Sequence, residues 1–348
     1  MFYPAEKYMG RHIGKLMTQY MINRDNIGEV KKAFHPMVHG TPRGIFKINE
    51  DIPKEYQVGI FAHPGKEYRI DSSFANSGPF KIPDTVHFGK SLAIKLYDVP
   101  GKKLQFGYED DTTMDLLFNS GPAFFAADPA EFLNLLHYLM EAGDHDLMRW
   151  MGEQKGPASR LGQENEDSYV KVTNPLRGTY WSQAPFKFGN RMCVKHKVYP
   201  VDVDKFEKEP GTEPDFLKRR MIASLAKEPA EFHFAIQLQK DPETMPVEDA
   251  SVVWDERQSP FINIAKIIFP RQDLPTEIEK KGHNAFFQPW LVTEDFRPLG
   301  ALNRSRMHPY YNVGEHRQAR NSFAEPKVTN LELDNELHRH MDLSKMKL

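Results

Sequence analysis

The chain has 348 residues, of which 46 are Lys or Arg and 48 are Asp or Glu, so its formal charge is −2. This balance lacks the positive excess with which proteins bind nucleic acids, and we predict no nucleic-acid partner. The single cysteine, Cys193, excludes an intrachain disulfide and a cysteine-rich zinc site. The sequence has no apolar run of signal or membrane-helix length, so we predict a cytoplasmic protein without an integral membrane segment.

The N-terminal part predicts a helical arm over residues 1–34. Its apolar residues recur at helical spacing up to a break at Asp25 and Asn26, and a short basic stretch then ends at Phe34. We therefore expect one or two helices here. The apolar residues with helical spacing are Ile13, Met17, Tyr20 and Met21.

From Gly44 onward the chain consists of short runs with alternating apolar residues, separated by Pro, Gly and Asp. This pattern is typical of an antiparallel sheet or barrel. The predicted strands are GIFKI, YQVGIFA, YRIDSSFA, TVHF, SLAIKLYDV, TYWSQAPFKF, RMCVKHKVYPV, FHFAIQLQ and NIAKIIFP.

Three segments favour helices. Residues 129–150 have apolar residues at i, i+3, i+4 and i+7, and Asp128 and Pro129 supply an N-cap and a first turn. The segment PDFLKRRMIASLAKE predicts a connecting helix, and LELDNELHRHMDL predicts a polar C-terminal one. Because the sequence contains no repeat and no low-complexity linker, we predict a single barrel domain over residues 35–348 with surrounding and C-terminal helices. The expected fold class is therefore α+β.

The motifs of common enzyme classes are missing from the sequence. It contains no GxGxxG, P-loop, GxSxG or HExxH motif. His35 and His39 are four residues apart, as two metal ligands on one helix face would be, but Pro36 and Gly40 disfavour a continuous helix. Most of the 14 histidines must be structural or exposed, and we place His338 and His340 in the charged tail in that group.

Six segments in order resemble the haem catalase superfamily, in its short form often called catalase-related peroxidases. The resemblance spans most of the chain and implies a catalase-like antiparallel barrel that binds haem b with ferric iron. The matching segments are KAFHP followed by HG and GIFK, SLAIKLYDVPG, DLLFNSGPAFFAADPAEF, YWSQAPFKFG, FAIQLQKDPETMPVEDASVVWDERQSPF and QPWLVTEDFRPLGALNRSRMHPYY.

The resemblance implies a set of site residues. His35 matches the distal histidine, Asn119 the distal asparagine and Tyr310 the proximal tyrosine that ligates the iron. Arg306 matches the arginine one helical turn before that ligand. The remaining matches are two basic partners of the haem propionates and two aromatic residues beside the haem: Lys32, Arg317, Phe124 and Phe132.

The chemistry of these residue types agrees with the implied roles. A phenolate ligand needs the iron charge and a nearby guanidinium, because tyrosine in water ionises only near pH ~10. Spacing of four residues puts Arg306 and Tyr310 on one helix face. A neutral imidazole at His35 can take a proton from a peroxide and return it to the leaving oxygen, and Asn119 can hold that oxygen by a hydrogen bond.

Other interpretations of the same residues stay open. Tyr311 is the adjacent rival to Tyr310, and Asn119 before SGP is a typical turn residue. Phe124 and Phe132 are core residues by default, and Lys32 and Arg317 are solvated charges by default.

The sequence also departs from the family pattern. Ser73 stands where the family has an arginine that binds a propionate, and Arg69, four residues earlier, is a candidate substitute. Lys90 stands where an arginine is common, and a lysine makes a point contact instead of a planar fork.

Three functions follow from these observations. We favour a peroxidase of organic hydroperoxides, fatty-acid ones among them, over a catalase and over a haem-binding sensor without turnover. A shorter chain than that of large catalases suggests an open pocket, with apolar walls from Phe34, Phe74, Phe124 and Phe132. The reducing co-substrate is unknown, and a homo-oligomer is an open alternative.

Overall fold

The computed structural model describes residues 3–25, 28–142, 153, 169–274 and 285–322. The strands are β1 (Val38–Gly40), β2 (Arg43–Ile48), β3 (Glu67–Asn76), β4 (Lys90–Leu96), β5 (Met114–Asn119), β6 (Tyr180–Trp181), β7 (Phe186–Phe188), β8 (Met192–Pro200), β9 (Ala230–Leu238) and β10 (Ile262–Phe269). The helices that bear on the argument are α1 (Pro4–Arg24), α2 (Pro129–Ala142), α3 (Phe216–Lys227), α4 (Gly300–Ser305) and α5 (Met307–Ser322).

Eight of the strands form a closed antiparallel barrel. Their order is β3, β2, β10, β9, β8, β6, β5 and β4, and β4 pairs with β3 to close the ring. β1 pairs with β3 and β7 with β8 outside this circuit. The predicted α+β class, with an antiparallel barrel and surrounding helices, is confirmed.

The barrel interior is filled by aromatic and branched side chains. The rings of Phe46, Phe61 and Phe234 pack within 6.0 Å of one another, measured between ring centroids. Alternation along each strand sends every second side chain into this core. Ile94 of β4 and Leu116 of β5 belong to this core. The side chains that alternate with them along each strand point away from it.

Two predicted strands are wrong. In YQVGIFA the chain makes short 3₁₀ turns at Lys54–Tyr56 and Gly59–Phe61, because Gly59 adopts φ +52° and has no room for a side chain beside the Phe296 ring. In TVHF the Val86 N–H donates to the Pro83 carbonyl at 3.1 Å, which forms a turn instead of a strand.

The predicted helices have different outcomes. α1 is a single helix, and residues 28–34 are not helical, so the second helix considered for the arm is wrong. α2 and α3 are confirmed, and Asp128 Oδ1 caps α2 by accepting from the Ala130 and Glu131 N–H groups at 2.8 and 3.0 Å. Residues 143–150 and the tail LELDNELHRHMDL, with His338 and His340, lie outside the described residues. The division at residues 34 and 35 stays a prediction.

Helix α1 packs closely on the junction between α4 and α5. A Cβ at Gly10 would lie 2.6 Å from the Ser305 carbonyl oxygen, and one at Gly14 would lie 3.1 Å from Pro309 Cα. Arg304 ties the same region to α1 through Glu6, with Nη2 and Oε1 2.7 Å apart. The arm is therefore anchored to the helices that carry Arg306 and Tyr310.

We expect Gly10→Ala to lower the free energy of unfolding by about 1–3 kcal/mol, because the added methyl group overpacks the contact with Ser305. Alanine is favoured over glycine in a helix by about 1 kcal/mol, so the close approach reverses the usual sign. Denaturant unfolding measures the effect. Lys15→Ala, at an exposed position of the same helix, is the control and should change stability by less than about 0.5 kcal/mol. A Gly10→Ala variant that is more stable than the unaltered chain would contradict the close approach of Gly10 to Ser305.

Candidate active site

One large cavity lies between the outer face of β3, β4 and β5 and the helices α1, α2 and α5. The eight site residues predicted from the sequence all line it: Lys32, His35, Asn119, Phe124, Phe132, Arg306, Tyr310 and Arg317. Helix α1 contributes Ile13 and Met17 to the same wall. The fold therefore brings together side chains that are up to 285 residues apart in the sequence.

Small side chains on the strands leave room for this cavity. Ser73 and Ala75 of β3 and Ser91 and Ala93 of β4 line it. They alternate with core residues, because Cβ directions alternate along a strand. Phe74 lies between the two β3 residues, is fully buried and packs on aromatic rings inside the barrel. The expectation that Phe74 forms part of the pocket wall is therefore wrong.

A tyrosine and an arginine meet on the helical side of the cavity. Arg306 lies at the junction of α4 and α5, and its Nη2 donates to the Tyr310 hydroxyl at 3.0 Å. Asn303 Oδ1 accepts from Arg306 Nη1 at 3.0 Å and so fixes the guanidinium. The rival Tyr311 is buried away from the cavity, with its ring against Tyr108.

His35 lines the same cavity and is held at both its backbone and its ring. Its N–H donates to the Gly78 carbonyl at 2.9 Å, and its backbone adopts φ +64°, a left-handed conformation that histidine tolerates better than most residues. The Asn76 carbonyl lies 3.1 Å from Nδ1. Because a carbonyl only accepts, Nδ1 carries the proton and Nε2 keeps its lone pair.

Burial and nearby charge keep this imidazole neutral. Burial lowers the pKa of His35 to about 4, the positive charge of Lys32 adds to this effect, and the hydrogen bond to Asn76 opposes it. At neutral pH His35 is therefore a base that can accept a proton at Nε2.

The side-chain amide of Asn119 is oriented by two neighbours. The Ser77 hydroxyl donates to Asn119 Oδ1 at 2.6 Å, and Asn119 Nδ2 donates to Gln183 Oε1 at 2.9 Å. Gln183 adopts φ +61° and donates to the Ala123 carbonyl at 2.7 Å. One N–H of Asn119 is left for the cavity. Sequence reasoning missed Ser77 and Gln183, since nothing local in NSG or SQAP marks them as partners of Asn119.

Two cations line another part of the cavity. Lys32 Nζ donates to Ser73 Oγ at 3.2 Å and lies 5.2 Å from the centroid of the Phe287 ring. Burial, together with the positive charge of Arg317, lowers the pKa of Lys32 to about 7. Burial also lowers the pKa of Arg317 to about 10. A bound anion would relieve the repulsion between these two charges.

The two residues considered as further anion partners lie elsewhere. Arg69 is exposed and stacks on Tyr97, with 4.3 Å from Cζ to the ring centroid, so it does not substitute for the missing arginine. Lys90 is buried behind the cavity, where its Nζ donates to the Phe88 carbonyl at 2.9 Å. The positive charge next to Ser73 comes instead from the ammonium group of Lys32, which donates to the Ser73 hydroxyl.

Aromatic rings form an apolar wall beside His35. Phe124 and Phe132 pack edge to face with centroids 5.4 Å apart, and Phe34 lies 6.2 Å from Phe132. Burial of such rings leaves the cavity with one mainly apolar side and a few polar groups, which is typical of small-molecule sites.

Comparison with known proteins gives low but consistent similarity. A catalase of Ascaris suum is 24% identical, over 87% of this chain and 59% of its own length. A crystal structure of a fungal catalase superposes with a TM-score of 0.62 at 18% identity, covering 89% of this chain and 63% of the other. The chain is therefore similar to catalases in sequence and shares their fold. No protein-family model matches it.

The catalase superfamily relatives are mostly longer than this chain. It spans about half to three fifths of the length of curated catalases from Methanosarcina barkeri, yeast and Ascaris suum. An allene oxide synthase-lipoxygenase protein of Plexaura homomalla is 25% identical over 84% of this chain and 28% of that protein. No helix among the described residues is both long and apolar enough to cross a membrane.

We expect Lys32→Met to raise the pKa of His35, because it removes a positive charge that disfavours the imidazolium form. In an NMR titration of the histidine rings, His35 should then protonate at a higher pH than in the unaltered chain. Lys31→Met, which removes a neighbouring half-buried charge, is the matched control. An unchanged titration of His35 in Lys32→Met would show that the two groups are not coupled.

Proposed function

We propose that this chain is a haem-dependent peroxidase that cleaves the O–O bond of organic hydroperoxides. In this proposal Tyr310 ligates ferric haem b, and His35 and Asn119 act on the opposite face. The observation that carries the proposal is that one cavity contains an arginine-paired phenol, a neutral imidazole with a defined tautomer and an oriented amide.

The residues around the cavity fit a haem group. Ser73, Ala75, Ser91 and Ala93 leave a surface free of bulky side chains, against which a flat ring can lie. Lys32 and Arg317 supply positive charge for two propionates, and the cavity walls are mainly apolar. Tyr310 supplies an oxygen donor of the type found among axial haem ligands.

Haem would supply a Lewis-acidic, redox-active iron at which the hydroperoxide O–O bond is cleaved. The Arg306 guanidinium would favour the phenolate form of Tyr310 through its hydrogen bond at 3.0 Å. His35 would take the hydroperoxide proton at Nε2 and deliver it to the departing alkoxide oxygen. Asn119 would donate its remaining N–H to that oxygen.

The apolar wall supports a substrate with an alkyl chain. Phe34, Phe124 and Phe132 can bury methylene groups, each worth ~0.8 kcal/mol, whereas hydrogen peroxide gains nothing from them. The Plexaura homomalla relative is named as an allene oxide synthase, and this name supports hydroperoxide chemistry for the present chain. Other relatives are named catalases, so disproportionation of hydrogen peroxide is the second candidate.

The partners of the reaction follow from the same chemistry. Reduction of a hydroperoxide to an alcohol needs an electron donor, which the proposal leaves as an unidentified co-substrate, whereas rearrangement needs none. We propose a cytoplasmic location from the cysteine content. A peroxisomal location is the alternative, since relatives from two yeasts carry that word in their names.

We expect Tyr310→Phe to abolish or severely weaken haem binding, because the variant removes the only atom that can ligate iron from this side chain. Titration of the purified chain with haem, followed by its absorption spectrum, measures the effect. Tyr311→Phe is the matched control and should retain haem, since Tyr311 faces away from the cavity. The opposite result for the two variants would move the ligand to Tyr311.

The substrate proposal is tested by kcat/KM for hydrogen peroxide, tert-butyl hydroperoxide and a fatty-acid hydroperoxide. We expect efficiency to rise along this series, since four buried methylenes contribute ~3 kcal/mol, or about two decades in affinity. His35→Ala should keep haem but lower kcat/KM by ~10²-fold or more for every member. A steady fall with substrate size, together with vigorous oxygen release, would favour the catalase alternative.

A further inference from the structure

A buried polar cluster lies behind the cavity wall, on the far side of the strand end that carries Asn76 and Ser77. Asp84 is at its centre and is buried. Its Oδ1 lies 3.1 Å from His39 Nε2 and 3.3 Å from Asn76 Nδ2, and its Oδ2 accepts from the Leu217 N–H of α3 at 3.0 Å. Asn76 is the member of this cluster that also contacts His35.

The three contacts of Asp84 fit a carboxylate. A backbone N–H and an amide N–H can only donate, and His39 Nε2 must carry a proton to bind a carboxylate. Three donors therefore converge on one acceptor group. Burial raises the pKa of Asp84, whereas the hydrogen bonds from His39 and Leu217 and the positive charge of Lys90 lower it, and the net effect is a lowering.

Asn76 connects this cluster to both groups on the distal side of the cavity. Its side chain is tied to Asp84 and to the Ile82 carbonyl, at 3.3 Å each, and its own carbonyl accepts the Nδ1 proton of His35 at 3.1 Å. The next residue, Ser77, donates to Asn119 Oδ1 at 2.6 Å. A shift of this strand end would therefore change the orientation of His35 and Asn119 together.

We propose that Asp84 is a positioning residue for the distal groups: by holding Asn76 and His39 it keeps the Asn76 carbonyl on Nδ1 of His35, and so keeps the Nε2 lone pair available in the cavity. This inference rests on the proposed function only for the catalytic role of His35. The geometry of the Asp84, Asn76 and His35 chain is independent of it. Substitution of a residue that orients a functional histidine through hydrogen bonds typically lowers activity by about 10- to 100-fold, and we expect a loss of that order.

The test is Asp84→Asn, examined by ¹⁵N NMR of the histidine rings in the full chain. An asparagine offers one acceptor oxygen and an NH₂ group, so at least one of the three donors would face another donor. We expect the His35 ring to change from a single Nδ1–H tautomer to a mixture. With haem bound, the rate of cyanide binding and kcat/KM for the hydroperoxide should both fall about 10- to 100-fold.

Asp204→Asn, which alters an exposed carboxylate on the surface, is the control and should change none of these readouts. A variant Asp84→Asn that is less stable but keeps the Nδ1–H tautomer of His35 would overturn the proposal, because Asp84 would then only anchor α3. Asn76→Ala, which keeps the backbone carbonyl and the other two contacts of Asp84, gives the same test if Asp84→Asn does not fold. An unchanged tautomer there also overturns it.

Non-additivity provides a second criterion. If Asp84 acts through Asn76, the double variant should lose no more kcat/KM than the more impaired single variant. Independent, additive losses would contradict the proposed chain of contacts. The two proposals can fail separately. If Asp84→Asn changes the His35 tautomer but the unaltered chain neither binds haem nor cleaves peroxides, the positioning role stands and the proposed function is contradicted.

Discussion

The pairing of β3 with β4 closes the barrel, and the position of the site depends on it. The two strands are in continuous register from Ile70 with Leu96 to Asn76 with Lys90. Since side chains alternate along each strand, this register sends one set into the core and the other toward the helices. A slip of one residue would put Phe74 in the cavity and Ser73 in the core, and both environments would be lost.

The same closure brings polar chemistry to the end of β3. Asn76 and Ser77 leave the sheet where the chain turns toward Gly78, and there their polar groups are available to His35 and Asn119. Because the region is shielded from water, each donor and acceptor needs a defined partner. These hydrogen bonds decide which imidazole nitrogen carries a proton, and the tautomer determines what the imidazole can do.

The other side of the cavity carries two buried positive charges instead of a network of paired hydrogen bonds. Lys32 and Arg317 place positive charges in a poorly hydrated space. Burial lowers the pKa of both groups, and the charge of Arg317 lowers that of Lys32 further. A protein that only needed a stable core would fill this space with apolar side chains. Under the proposed function, the two propionates of haem would supply the negative charge, and they match these two cations in sign and number.

Much of this protein could be predicted from its sequence. Alternating apolar runs predicted most barrel strands, and a 3.6-residue period predicted α1 and α2. An ordered series of segments predicted the similarity to catalases and eight of the residues that line the cavity. These features are local, or depend on residue order, so they can be seen without coordinates. The turn at YQVGIFA was missed because it depends on Gly59, which adopts φ +52° and packs against the Phe296 ring, far away in sequence, where a side chain would not fit.

Only the tertiary structure decided which side chains meet. Phe74 and Ser73 are neighbours in sequence, yet the pleat of β3 places Phe74 in the core and Ser73 in the cavity wall. Lys32, from a distant part of the chain, supplies the positive charge beside Ser73. Ser77, Gln183 and Asp84 carry no motif, and their roles arise from contacts across 42, 64 and 8 residues of chain. Such contacts depend on strand register and helix docking, which are set by packing of the whole barrel and not by any local pattern.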